Sequence, residues 1–344
     1  MQTETPRRVL IIQLRRIGDV LLATPIFRAL RAAWPAAEIT LLVETPFEPV
    51  VRHNPHINRV ISLPRKQSLR RDVKAILELR KEQFDLVIDL LGKPRTALWS
   101  RLTGAPRRIG FAAQGRCLFY TDAVTITDPL AYSACHKAEL LKPLGIEIAD
   151  WRLDLPVHAS ERLAALKALT TMKLPAHRRL VAIAPGSRRT DKLWMPECFA
   201  EVADRLANEH ALTPLFVCGP GEEAQVAAVR NQMKSPSWFN ANRPSLPQVQ
   251  ATLEQCALFV GNDTGLRHMA VAAGIPTVAI FGQPRPSNWT PPNDPRHQSL
   301  GADAKVRAVR DSSSDGRRCL SSITVESVLQ AVRKALTIEN QAAY

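Results

Sequence analysis

Several absences narrow this chain before any motif is read. Its six cysteines, at 117, 135, 198, 218, 256 and 319, include no C-x-x-C pair, so neither a zinc site nor a disulfide framework is indicated and reduced thiols are expected. No apolar run approaches the ~20 residues of a membrane helix, and the opening MQTETPRRVL has no apolar signal-peptide core, so a protein kept in the cytoplasm is expected. The histidines at 53, 56, 136 and 158 have no metal-ligand spacing, and no solenoid repeat or low-complexity tract is visible. Acidic residues are also short: 32 Asp and Glu against 46 Lys and Arg leave a net charge of +14, which calls for an anionic partner. That partner could be nucleic acid, an acidic membrane surface, or a phosphorylated glycan or nucleotide. Aromatics make up only 6%, and no helix-turn-helix, zinc-finger or RNA-recognition signature is present, which puts nucleic acid last.

What is present is a globular composition, 45% hydrophobic and 23% charged, over 344 residues, enough for two domains at roughly 150 residues each. Apolar runs alternate with amphipathic segments throughout. Strands are predicted at 9–14, 38–44, 60–63, 84–90, 108–111, 180–184, 215–218, 258–260 and 277–281. Helices are predicted at 67–82, 97–102, 134–144, 160–172, 196–209 and 246–255, with a closing one at 324–336. Val20, Ala23, Phe27, Leu30 and Trp34 fall at helical spacing, but Pro25 interrupts them, so that helix should kink or restart there. The tract QPRPSNWTPPNDPRHQ after Gly282 reads as loop. Such alternation describes two similar α/β domains with parallel sheets facing a central cleft, where ligands sit at strand carboxyl ends.

The most informative stretch is Ala257–Gly282, ALFVGNDTGLRHMAVAAGIPTVAIFG, which reads as strand, polar loop, helix, strand. Its loop sits at a helix amino end, where backbone N–H groups and the helix dipole favour an anion such as a diphosphate. Asp263 and Thr264 are natural helix caps, and His268 lies one turn on; plain capping and packing remain the alternative reading. Three other loops follow predicted strands. The loop 15–19 carries Asp19 among Arg15, Arg16 and Gly18, where a carboxylate could stay ionised and accept a proton, or merely cap the next helix. In GSRRTDKLW, Ser187, Arg188, Arg189 and Lys192 offer a hydroxyl and cations suited to a diphosphate, or a solvated basic turn. In CGPGEEAQ, Glu222 and Glu223 could take ribose hydroxyls, or simply suit a helix dipole.

Taken together, VLIIQLRRIGDVLLATPIFRALR, FDLVIDLLGKPRTALWSRLTGAPRRIGF, APGSRRTDKLWMPECFAEVADRL and VGNDTGLRHMAVAAGIPTVAIFG resemble glycosyltransferase family 9, the ADP-heptose:lipopolysaccharide heptosyltransferases. The pairing of R-x-G-D with D-T-G-L-x-H is far more specific than either motif alone, and the resemblance runs from Val9 to about Leu336. It implies a GT-B fold: an N-terminal acceptor-binding Rossmann-like domain over 1–158, a C-terminal nucleotide-sugar-binding one over 159–322, and a C-terminal helix over 323–344 that could pack back on the first domain.

The resemblance further implies an inverting transfer of heptose from ADP-L-glycero-D-manno-heptose to a sugar hydroxyl of the lipopolysaccharide inner core, with no obligatory metal or cofactor. Asp19 would be the general base. Lys192 and the Ser187 loop would hold the departing ADP phosphates, although Arg188 stands where some relatives carry a hydroxyl. Asp263, Thr264, Gly265 and His268 would orient the donor, and Glu223 would hold the ribose. The cysteine-rich C-terminal segment of some members is reduced here to Cys319, so no metal role is carried over. Arg15, Arg16, Arg65, Lys66, Arg70, Arg71, Arg107, Arg108 and Arg116 form a basic set in the acceptor half, for acceptor phosphates and carboxylates and for an anionic inner leaflet. The expected location is cytoplasmic, peripheral on the inner face of the inner membrane. The alternatives are a relative using another nucleotide sugar or a protein acceptor, and a non-catalytic nucleotide-binding member.

Overall fold

The first strand, β1 (Arg8–Ile12), is RVLII, apolar from its second residue on, and those four residues are fully buried because both of its faces are covered. It is one of twelve strands in a computed structural model that describes residues 5–65, 68–113, 115–175, 179–240, 242–282, 286–292, 294–301 and 320–342. The chain divides into two units, Met1–Pro156 and Val157–Tyr344.

In the first unit β1 is followed by α1 (Ile17–Leu21), α2 (Thr24–Ala33), β2 (Glu38–Glu44), β3 (Arg59–Leu63), α3 (Leu69–Lys81), β4 (Leu86–Asp89), α4 (Pro94–Leu102), β5 (Arg107–Phe111), β6 (Asp122–Val124) and α5 (Ser133–Ala138). The strands form one parallel sheet in the order β3-β2-β1-β4-β5-β6. Leu10, Ile12, Leu42, Phe84, Val87 and Trp99 share a core cluster. The predicted helix around Pro25 restarts rather than kinks: α1 ends at Leu21 and Pro25 sits in the first turn of α2, where its missing N–H costs nothing.

The second unit contains α6 (Ala159–Thr171), β7 (Arg179–Ala184), α7 (Pro196–Glu209), β8 (Leu212–Phe216), α8 (Glu223–Arg230), β9 (Trp238–Phe239), α9 (Leu246–Leu253), β10 (Cys256–Asn262), α10 (Gly265–Ala272), β11 (Thr277–Phe281), β12 (His297–Gly301) and α11 (Val325–Ala342). Its parallel order, β9-β8-β7-β10-β11-β12, repeats that of the first unit. Both units are therefore doubly wound, and each reverses direction between its first and fourth strands, the crevice where such sheets bind ligands. The closing helix completes this unit's own core: Val328, Leu329, Val332 and Ala335 are fully buried with Val278 and Ile280.

Three short strands were not expected, namely β6, β9 and β12, and β8 starts earlier than its apolar residues suggested. Pro214 hides β8, yet β9 pairs only with Leu215 and Phe216, so Pro214 borders no strand on that side. Among the described residues of the tract after Gly282, Pro286–Asn288 form a 3-10 turn and His297 opens β12 beside β11.

Candidate functional site

In the second unit the loops after β7 and β10 meet at the sheet's reversal point. The strands approach closely there: a Cβ on Gly261 would lie 2.7 Å from the Ala184 carbonyl oxygen. Asn262, fully buried, donates its amide to the Pro185 carbonyl at 2.7 Å and accepts from the Trp194 N–H at 3.3 Å. One side chain thus fixes both ends of the 185–194 loop, and the Lys192 ammonium is delivered to the Asp263 carboxylate as an ion pair. Asp263 is therefore not a helix cap. The cap position of α10 belongs to Thr264, whose side chain makes no capping bond.

Two polar atoms here are buried without a hydrogen-bond partner among the described residues: Thr264 Oγ1 and His268 Nδ1. Polar groups in such positions ordinarily have one. The His268 ring lies edge-on to Trp289, with centroids 6.0 Å apart. Burial, with Arg267 and Lys192 nearby, pushes its pKa down to about 3, so the imidazole is neutral at neutral pH. Arg267 is itself fully buried: its guanidinium donates to the Trp289 carbonyl and to Thr290 Oγ1, and sits over the Phe281 ring. It anchors the segment that carries Trp289.

Ser187, also buried, accepts from the Arg189 N–H at 3.2 Å, and its carbonyl accepts from the Gln225 amide at 3.2 Å. Arg188 is exposed at the loop's rim, while Arg189 is paired with Asp191. Of the two glutamates after β8, both offered from the residues for a ribose, the resemblance singled out Glu223; Glu222 builds the loop. Its carboxylate takes the Gly219 N–H at 2.9 Å and packs over Gly186, where a Cβ would stand 2.4 Å from Glu222 Oε2. Glu223 is half-exposed, 3.4 Å from Arg243 Nε, and borders a cavity formed with Phe216, Gly219, Pro220, Phe239 and Pro244 at the carboxyl ends of β8 and β9.

In the first unit the reversal point lies between β1 and β4. Asp19, in the first turn of α1, is half-buried and accepts from the Arg16 N–H at 3.3 Å, while exposed Arg15 reaches to 3.7 Å from the buried Glu44 carboxylate. Beside them β4 ends in Asp89, fully buried, which accepts from the Leu91 and Gly92 N–H groups and from the Tyr120 hydroxyl. Burial raises the Asp89 pKa, and these bonds with Thr96 pull against that rise. Lys137 is nearly fully buried and donates to Gln13 Oε1 and the Leu90 carbonyl.

The basic set does not gather in one place. Arg65, Arg70 and Arg71 are exposed, the last two on α3, and Lys66 lies outside the described residues, as does Cys319. Arg107 opens β5, so it stands at the amino edge of the sheet, opposite the edge of Asp19, and is committed to Asp122 and the Pro143 carbonyl. Arg108, next in the strand, holds the Ala105 and Phe119 carbonyls. Both brace the fold. Arg116 follows β5 at its carboxyl side with a buried Nε. Sequence reading missed Asn262, Arg267, Gln13 and Lys137, and it did not foresee that Glu222 accepts from the Gly219 N–H. Gln13 did carry a signal, as the one polar residue inside VLIIQL. Among the described residues no group of three or more His, Cys, Asp or Glu side chains is placed to hold a metal ion, and no helix is long and apolar enough to cross a membrane.

Comparison with known proteins agrees with this architecture. The chain is 25% identical to lipopolysaccharide heptosyltransferase 3 of Escherichia coli K12 over 338 residues, covering 94% of this chain and 96% of that protein. The glycosyl transferase family 9 structure from Veillonella parvula superposes with a TM-score of 0.82 at 23% identity, covering 96% of this chain and 97% of that one. E. coli ADP-heptose lps heptosyltransferase II does so with a TM-score of 0.77 at 20% identity, covering 97% and 99%. The fold is GT-B, with two Rossmann-like domains. A profile described as glycosyltransferase family 9 (heptosyltransferase) matches residues 73–314, and the chain belongs to that family as a glycosyltransferase.

Proposed function

We propose that this glycosyltransferase moves a heptose from ADP-L-glycero-D-manno-heptose to a sugar hydroxyl of the lipopolysaccharide inner core, with inversion at the anomeric carbon. One arrangement carries the reading: an ion-paired Lys192–Asp263 next to two buried, unpartnered polar atoms, Thr264 Oγ1 and His268 Nδ1, at the amino end of α10. Unsatisfied polar atoms beside a cation and a helix amino terminus suit a sugar diphosphate. Lys192 has three donors, so it can hold Asp263 and a phosphate oxygen together. Neutral His268 offers a ring nitrogen to the donor without adding charge. The cavity beside Glu223 would take the nucleoside, its apolar wall against the base and the carboxylate on the ribose.

In the transfer, the acceptor oxygen attacks the anomeric carbon from the face opposite the diphosphate. The new C–O bond forms as the bond to the β-phosphate oxygen breaks; its electron pair leaves with ADP, and the hydroxyl proton passes to Asp19. Lys192 and the 185–192 loop balance the charge that gathers on ADP. The first unit would hold the acceptor, with Arg15, Arg16, Arg65, Arg70 and Arg116 meeting its phosphates and carboxylates. On α3, Val73 and Leu77 are about half exposed between Arg70, Lys74 and Lys81, which suits an anionic leaflet and a peripheral location on the cytoplasmic side.

The test is ADP release from ADP-heptose by the purified protein, with Kdo-terminated and heptose-terminated cores supplied in parallel and Asp19→Asn as control. Release should depend on one acceptor and fall by roughly 10²–10⁴ in Asp19→Asn with ADP affinity retained. Binding of ADP without release on either core would move the reading to another nucleotide sugar, to a protein acceptor or to a non-catalytic member.

A further inference from the structure

A lysine buried at the reversal point of the first unit needs a reason. Methionine would fill the same space without burying an amine, so what lysine adds is hydrogen-bond donation. Lys137 Nζ stands 2.8 Å from Gln13 Oε1 and 3.3 Å from the Leu90 carbonyl, bridging the residues that follow β1 and β4. Fully buried Gln13 turns its amide N–H to the Arg15 carbonyl at 2.8 Å. On the other end of that same peptide group, the Arg16 N–H donates to Asp19 Oδ2 at 3.3 Å. The hydrogen bonds therefore run head to tail, amine to amide to peptide to carboxylate, an order in which each bond polarises the next.

We propose that Lys137 is a positioning residue for Asp19, acting through Gln13 and the Arg15–Arg16 peptide to fix where the Asp19 carboxylate points. This rests on Asp19 serving as the general base. Lys137 makes no claim on substrate: it lies beneath the loop, and its work is to hold the loop's first carbonyl while leaving the carboxylate's other oxygen to the acceptor. Burial lowers the Lys137 pKa while the Asp19 and Asp89 carboxylates raise it, which places the amine within electrostatic reach of both.

The experiment is a double-mutant cycle on the full chain with ADP-heptose and the active lipopolysaccharide core. Lys137→Met and Gln13→Glu are each made in the native and the Asp19→Asn backgrounds; Gln13→Glu keeps an oxygen for Lys137 but removes the donor to the Arg15 carbonyl. In the native background kcat should fall roughly 10- to 100-fold while the KM for ADP-heptose stays within about twofold, and in Asp19→Asn the same changes should cost almost nothing more. Equal losses in both backgrounds would mean a structural role and overturn the inference, as would undiminished kcat in the native background. If Lys137→Met does not fold, Gln13→Glu decides alone by the same criteria. Full turnover in Asp19→Asn would remove the general base and this inference with it, whereas a large loss there beside unaffected Lys137→Met and Gln13→Glu would overturn the inference only.

Discussion

Lys192 and Asp263, 71 residues apart in the chain, form an ion pair where the loops after β7 and β10 meet. Neither charge is well exposed, the Asp263 side chain being 11% accessible, so removing one partner leaves the other poorly solvated. Lys192→Ala should therefore do more than delete a phosphate contact: it leaves a bare carboxylate beside an incoming diphosphate. ADP affinity should fall by at least about tenfold, the worth of a charge-assisted hydrogen bond, and Asp263→Asn added to Lys192→Ala should restore part of it. Calorimetric titration with ADP reads both; unchanged affinity in Lys192→Ala would place this lysine outside the site.

Asn262 is the strut behind that pair. Replacing it with alanine strands the Pro185 carbonyl and the Trp194 N–H, both buried, and should cost about 1–3 kcal/mol for the groups left unsatisfied. Urea unfolding would show the loss. ADP binding should weaken as well, because the 185–194 loop loses its tether; full ADP affinity in a destabilised Asn262→Ala protein would separate strut from site.

How much of this was legible in the sequence depended on punctuation. The unit around Asp263 could be read because Gly261–Gly265 and Gly274–Pro276 bracket a helix between two apolar runs. The strand β12 could not: HQSLG has neither apolar length nor alternation, and it becomes a strand only by pairing with β11. Charge was legible as a sum and misleading by residue. Arg107 and Arg108 read as ligands for an acidic acceptor, and in the fold both are bonded to Asp122 or to loop carbonyls. The Lys137 chain was beyond sequence reading, since its partners lie 47 and 124 residues away and only the reversal of strand order brings them together.

Gly186 tests the floor of the donor loop. A methyl group there would meet Glu222 at its Cβ, 2.8 Å away, as well as at its carboxylate, so the side chain cannot simply swing aside. Gly186→Ala should destabilise the second unit by about 1–3 kcal/mol through overpacking and should displace the carboxylate from the Gly219 N–H. Pairing it with Glu222→Ala should recover only the part owed to the carboxylate, since the contacts with Oε2 at 2.4 Å and Cδ at 2.9 Å go while that with the Cβ stays. Thermal unfolding of the single and double variants checks this, and additive losses would mean that the strain lies elsewhere.

Stability should fall on acidification through a histidine that has no part in the proposed transfer. His297, the first residue of β12, is buried with Nδ1 3.1 Å from Thr277 Oγ1 and Nε2 3.4 Å from Asp294. Burial drives its pKa from 6.5 down to about 4, with Arg267 and Arg296 adding to the fall and Asp294 opposing it; His268 is held at about 3. Both folded values are depressed, so the unfolded chain binds protons that the folded chain refuses. Their stabilisation is thus complete above pH 6.5 and is lost as the pH falls towards 4, by up to about 1.4 kcal/mol per pH unit for each ring. The carboxyl of Asp150, held at about 2 by Arg152, acts only below this window. Urea unfolding at pH 7 and pH 5 should show a marked loss for the native chain and a smaller one for His297→Gln, whose amide does not titrate. The same loss in both would assign the acid sensitivity to His268 or to groups outside this pair.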